Sequence, residues 1–212
     1  MHFTVTGTAR GLLEGSNTAN AAAKNAEDHT WIKGDPDTRG PCPGLNALAN
    51  QGYLPRDGKN LTLPMIKQSL QDALHMSPLL ASSLTNALRP LRRPDGTLDL
   101  KDTRRYNVIE HDASITRLDF HQGDNYTIQP ELVQAIFDDA HGGPLSVKTL
   151  AVSFKRRSKE SRAAGAPRLG IKMWFVKLLN LAGAVNTTVV NGEIPKEVAE
   201  ALFVEERWHP VS

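Results

Sequence analysis

The sequence is short of several things, and each shortage removes a class of function. It holds a single cysteine, Cys42, in 212 residues, so an internal disulfide and any multi-cysteine zinc or iron–sulfur site are excluded. What remains for that sulfur is a buried thiol, a nucleophile or one metal ligand. Charge of one sign is also lacking: 25 Lys and Arg stand against 23 Asp and Glu. That balance sets aside nucleic acid as the default partner. No apolar run approaches the roughly 20 residues needed to cross a bilayer, and Met1 to Gly15 lacks the apolar segment of a secretory signal. The expectation is a soluble chain without nucleic-acid or membrane partners, with an intracellular setting slightly favoured over a secreted one. Three Asn-x-Ser/Thr triplets, at Asn60, Asn125 and Asn186, carry weight only in a secreted protein. Strand-like alternation is nearly missing, which limits any sheet to a small hairpin.

Helical punctuation is abundant instead. Residues 1–35, rich in Thr, Ala, Gly and Asn, read as an irregular arm, and 36–212 as one all-α domain. Leu45, Leu48 and Ala49 form a short stripe ending at Gly52, and Thr62 with Pro64 opens a helix carrying Ile66, Leu70, Ala73 and Leu74. Ser77-Pro78, Pro130, Ser146 and Pro195 open others. One or two short helices are expected around Ile109 to Leu118. Lys155, Arg156, Arg157, Lys159 and Arg162 read as a solvated helix face, and Ile171 to Leu181, apolar almost all round, as a central buried helix.

The chemistry centres on Pro41-Cys42-Pro43-Gly44-Leu45-Asn46-Ala47-Leu48-Ala49-Asn50, which sets the thiol at a helix N-terminus between two prolines. The helix end and its unpaired N–H groups favour thiolate, hence metal ligation or nucleophilic attack, although a lone cysteine is also commonly an inert buried thiol. A second block is Asn107-Val108-Ile109-Glu110-His111-Asp112-Ala113-Ser114-Ile115-Thr116-Arg117-Leu118-Asp119, and a third Phe203-Val204-Glu205-Glu206-Arg207. Three adjacent residues on a helix point in different directions, so Glu110, His111 and Asp112 do not share one site if that segment is helical.

Together the three blocks, in this order over residues 35–208, resemble the fungal haem-thiolate peroxidases, the family of chloroperoxidase and the unspecific peroxygenases. The resemblance implies a single helical domain built around haem b, with the Cys42 thiolate on the iron and Pro41, Pro43 and Leu45 beside it. A thiolate pushes electron density onto the iron and favours O–O cleavage. Haem would also supply apolar core to a chain with 6% aromatic residues. By the family pattern, Glu110, the His111 carbonyl and Ser114 hold Mg²⁺ or Mn²⁺ near a haem propionate, hard oxygen donors suiting either ion. The His111 side chain assists proton transfer from hydrogen peroxide, and Asp112 is a structural partner.

The implied activity is that of a peroxidase or peroxygenase oxygenating or halogenating a small organic substrate. The sequence departs from the family at one point: Leu169 to Ala184, where a distal Glu belongs, has no carboxylate. Glu160 is the nearest acidic residue upstream and the candidate catalytic substitute, though Lys159-Glu160-Ser161-Arg162 also reads as a solvated ion pair. A haem protein with little peroxide activity, acting as sensor, carrier or redox-neutral catalyst, is the alternative; a haem-free Cys42–His111 nucleophile is a third reading. With its one cysteine committed to iron, the chain is expected as a monomer or non-covalent homodimer. Leu45, Phe120, Phe137, Phe154, Trp174 and Phe175 are available to line a substrate channel as well as the core. His2, His29, His75, His121, His141 and His209 read as structural.

Overall fold

A computed structural model describes residues 29–189 and 191–209. Its helices begin where proline and a hydroxyl residue coincide. Pro43, fixed at a helical φ and lacking the N–H that a first turn cannot use, opens α1 (Pro43–Asn50). The Thr62 hydroxyl accepts from the Met65 amide at 3.3 Å to cap α2 (Leu63–Leu74), and Ser77 caps α3 (Pro78–Asn86) in the same manner. α4 (Pro130–Asp139) again starts on proline. At α5 (Val147–Ala163) Ser146 and Thr149 exchange hydrogen bonds of 2.8 and 3.2 Å, satisfying two orphan amides. α6 (Ile171–Thr188) follows, and α7 (Lys196–Glu200) runs into a π-turn, Ala201–Glu205.

Among the described residues the only sheet is the small hairpin the sequence allows, β1 (Leu61–Thr62) against β2 (Thr97–Leu98), antiparallel with Leu61 opposite Leu98. The molecule is accordingly all-α.

Burial divides the apolar side chains into two groups. α1, α2 and α3 pack with the hairpin around Leu48, Leu61, Ile66, Leu88 and Leu98. α4, the start of α5 and α7 pack around Ile136, Leu145, Leu150, Ile194 and Leu202. Trp208 packs against both. An antiparallel bridge, Leu145 to Ile194, ties the approach to α5 to the approach to α7.

Three expectations change in the folded chain. Residues 109–118 are not helical; 105–119 is irregular, with Asn107 and Ala113 at positive φ. Side chains take its amides: Asp119 Oδ1 accepts from Ala113 N at 2.7 Å and Asp112 Oδ1 from Phe120 N at 2.9 Å, so local side-chain bonds displace the helical ladder. α6 forms as expected but is not buried all round, since Ile171 is 80% exposed and Trp174, Phe175 and Leu178 are exposed too. The basic run of α5 is not wholly solvated: Arg157 is 5% exposed and donates to the Ser114 carbonyl at 2.8 Å, while Arg156 pairs with Asp139.

Of the arm expected over 1–35, residues 1–28 lie outside the described residues. Residues 29–34 dock on the end of α1, with Ile32 N donating to the Asn50 carbonyl, Gly34 N to Asn50 Oδ1, and His29 stacked on Tyr53. Among the described residues no helix is long and apolar enough to cross a membrane.

Candidate functional site

Cys42 is the residue just before α1. Because Pro43 has no N–H, the first amides near the sulfur are those of Gly44 and Leu45; both pull its pKa down, though neither makes a capping hydrogen bond to it. Burial pushes the thiol up, against the pull of those two amides and of the Arg117 guanidinium. The expected bias of a helix end toward thiolate is therefore present but outweighed by desolvation. Gly44 leaves room beside the sulfur: a Cβ there would meet Trp208 at 3.2 Å and Cys42 Sγ at 4.0 Å.

The sulfur opens onto a cavity of about 220 Å³ lying between the two apolar clusters. Leu45, Ile66 and Leu88 line it from one cluster, Leu150, Leu202 and Phe203 from the other, and α6 from Val176 to Ala184 forms a further wall. The irregular 105–119 segment brings Glu110, His111 and Ser114 into the same lining. The path of this wall is set by the left-handed turn at Ala113 and by the amides that Asp112 and Asp119 hold.

His111 is 8% exposed. Its Nδ1 lies 2.8 Å from the Asp112 carbonyl, which only accepts, so Nδ1 carries the proton and Nε2 keeps a lone pair without a partner among the described residues. Burial, with some help from Lys177, holds its pKa below the ordinary histidine value. The imidazole is thus neutral at neutral pH. Asp112 accepts from Tyr106 and Phe120, the structural part expected of it.

Glu110 is 5% exposed, and burial, with Asp112 and Asp119 nearby, pushes its pKa up to about 8 against a bond from Asn125. Its Oε2 is buried with no hydrogen-bond partner. Glu110 and Ser114 line the same cavity, and carboxylate and hydroxyl oxygens are donors of the type a hard cation takes. A second group, Asp112, Asp119 and His121, has donor atoms within 4.8 Å of one another. Asp112 and Asp119 already hold backbone amides, and His121 bonds the Ala164 carbonyl.

Glu160 does not reach the cavity. It is exposed on α5, held by Arg156 at 3.1 Å and Arg157 at 2.9 Å. Those two pairs are the ion-pair reading of Lys159-Glu160-Ser161-Arg162, and they draw the carboxylate away from the lining. Of the residues available for a channel, Leu45 and Phe154 line the cavity. Phe137 is core, Phe120 stacks on Tyr106, and Phe175 faces outward.

The three sequence blocks meet behind the site. Glu206 Oε1 accepts from Asn46 Nδ2 at 2.8 Å and from Arg117 Nη2 at 2.7 Å, joining the cysteine helix, the Glu110 segment and the C-terminal turn. Residues 29–211 match the family described as "Peroxidase, family 2". The chain belongs to that family. This peroxidase-family chain is 33% identical over 165 residues to the aromatic peroxygenase of Coprinellus radians, covering 68% of this chain and 63% of that protein. It is 33% identical over 128 residues to the chloroperoxidase of Leptoxyphium fumago, covering 51% of this chain and 33% of that one. To the dothistromin biosynthesis peroxidase of Dothistroma septosporum it is 30% identical over 152 residues, 59% and 35% of the two chains. The family chain thus spans under two thirds of the length of each of these relatives.

Sequence reasoning missed Arg117, Glu206, Asn125 and Lys177. Arg117 and Glu206 were visible inside the motifs, but nothing local says that they pair across 89 positions. Asn125, one of the three glycosylation triplets, is 6% exposed and donates to the Arg104 carbonyl, which removes it as a surface acceptor.

Proposed function

We propose that this chain is a haem-thiolate peroxidase or peroxygenase that uses hydrogen peroxide to oxygenate or halogenate a small organic substrate. The observation that carries this reading is the single cavity shared by the Cys42 sulfur, at its helix N-terminus, and a neutral His111 whose Nε2 has no partner. The residues present fit haem b: Gly44 leaves space beside the sulfur, the cavity walls are apolar, and Glu110 has a free buried oxygen. Cys42 would hold the iron, with Pro41, Pro43 and Leu45 lining the cavity around it. Glu110, Ser114 and the His111 carbonyl would hold Mg²⁺ or Mn²⁺ beside a propionate. Bound there, haem supplies the redox chemistry of O–O cleavage.

The remaining work belongs to the chain. The Gly44 and Leu45 amides and the Arg117 charge stabilise negative sulfur against burial. His111 Nε2 accepts a proton from the attacking peroxide oxygen and returns it to the leaving one, a shuttle that its lowered pKa permits at neutral pH. The Asp112 carbonyl fixes the tautomer that leaves Nε2 free. Apolar walls exclude water from the substrate.

One observation favours a second reading. The only carboxylate lining the cavity among the described residues is Glu110, which the divalent ion would occupy. A haem protein with little peroxide turnover follows if His111 alone moves protons poorly, since acid–base help is worth roughly 10²–10⁴ in rate.

The test is spectroscopic and then kinetic. Haem-loaded protein, reduced under carbon monoxide, should show the red-shifted Soret band of thiolate-ligated iron, and Cys42→Ala should abolish it. An unchanged band in that variant would sink the axial assignment. Hydrogen peroxide with a one-electron donor then separates the readings: rapid donor oxidation supports the peroxidase, and bleaching without turnover the second.

A further inference from the structure

Lys177 enters the chemistry above only through its charge, which helps hold the His111 pKa down, yet it also stands where two cavities adjoin. It lies on α6 and lines the main cavity; it also lines a smaller one of about 150 Å³ bounded by Leu169, Trp174 and Leu178. Phe154, Lys177 and Leu181 belong to both linings and form the wall between them. Trp174 and Leu178, at 52% and 42% exposure, put the smaller cavity next to the surface.

At that junction the ammonium is incompletely satisfied. Its Nζ donates to Ser158 Oγ at 3.3 Å and sits 4.6 Å from the centre of the Phe154 ring. Among the described residues no carboxylate lies within ion-pair distance of it. The charged and titratable groups that face it are Arg157 from α5, which repels it, Asp119, which attracts it weakly, and the neutral His111. Asp119 is itself engaged by Arg157 and by the Ala113 amide. Ser158 spends its own hydrogen on the Phe154 carbonyl at 2.7 Å. Burial first, and Arg157 second, press the Lys177 pKa down to about 8. A half-buried cation in an aromatic and aliphatic setting without a counter-ion is one half of an ion pair.

We propose that Lys177 is the anchor for the acidic group of the substrate, which is an organic carboxylate on an apolar body. The carboxylate sits at the wall between the cavities and the apolar body extends into the main one. The Leu, Ile and Phe side chains of the main lining accept such a body, and among its polar groups, Glu110, His111, Ser114 and Asn125 included, Lys177 is the one Lys or Arg, so one acidic group is the class that fits. This rests on the oxidative function proposed above and adds the substrate class to it.

The test is a calorimetric titration of the purified full-length chain with naphthoate and, separately, with the neutral naphthylmethanol. At about pH 7 naphthoate should bind about tenfold more tightly, as a charge-assisted bond in a dry site requires. Lys177→Met should bring the ratio to about one by weakening naphthoate alone, and Lys177→Arg should keep the preference. In the unmodified chain the preference should fade as pH rises through about 8 toward about 9.5, because Lys177 loses its charge while naphthoate stays ionised. That series also decides the matter if Lys177→Met fails to fold. Equal affinity for the two probes, or a preference that Lys177→Met retains, overturns the proposal. Neither titration needs iron, so the two readings fail separately. A chain that takes up no haem but binds naphthoate through Lys177 loses only the oxidative function, and an active haem enzyme with no preference loses only the anchor.

Discussion

Glu206 accepts two hydrogen bonds on one carboxylate oxygen, from Asn46 and Arg117, in a turn where its own φ is +52°. That left-handed backbone is uncommon for a residue with a side chain, and the two bonds are what hold it there. The Arg117 side chain is 1% exposed and also donates to Thr116 and to the Tyr126 carbonyl. Removing the arginine strands a buried carboxylate next to a cysteine that burial already strains electrostatically. Arg117→Met is therefore expected to lower unfolding free energy by about 3–5 kcal/mol, read from the urea midpoint. Glu206→Gln, which keeps an oxygen acceptor, is expected to cost less. At this scale the sequence was legible in identity and not in partnership. Pro41-Cys42-Pro43 could be read as a candidate site from its helix-end setting, whereas Glu110-His111 was read from the family resemblance. Lys177 could not, because an apolar helix with two lysines, Lys172 and Lys177, looks the same whether either faces solvent or a cavity.

The helices divide by how their ends are specified. Ser146 and Thr149 cap α5 through bonds between neighbours three apart, which any reader of the chain can anticipate. Ser146→Ala should cost about 1 kcal/mol in the same urea assay. If the variant matches the parent within error, the capping pair contributes nothing. The segment 105–119 is the opposite case. Ile109, Ile115 and Leu118 suggest a helical stripe, but Arg157, 43 positions away, claims the Ser114 carbonyl, and Asp119 claims the Ala113 amide. A partner as distant as Arg157 leaves no periodic trace. α6 misleads for a different reason: it is apolar on two sides because Val176 and Leu179 line the cavity while Ile171, Trp174, Phe175 and Leu178 face outward. Composition records the apolar surface and not what it meets.

Across the whole molecule the cavity sits between the two apolar clusters, so whatever fills it joins them. Haem binding should then raise the unfolding temperature in a concentration-dependent way, by the equivalent of about 2.7 kcal/mol when free haem is a hundredfold above its Kd. Cys42→Ala should lose most of that gain in a thermal scan with and without haem. An unfolding temperature indifferent to haem would count against the cavity as its site. The sequence by itself determined the class of the fold, the helix starts and the one sulfur, because prolines, caps and a lone thiol act within a turn of the chain. Only the tertiary structure decided that Glu110 and His111 share a wall, that Glu160 stays outside it and that Lys177 faces in. Those outcomes depend on side chains up to 160 positions apart competing for the same buried partners, and that competition is settled only when the chain has folded.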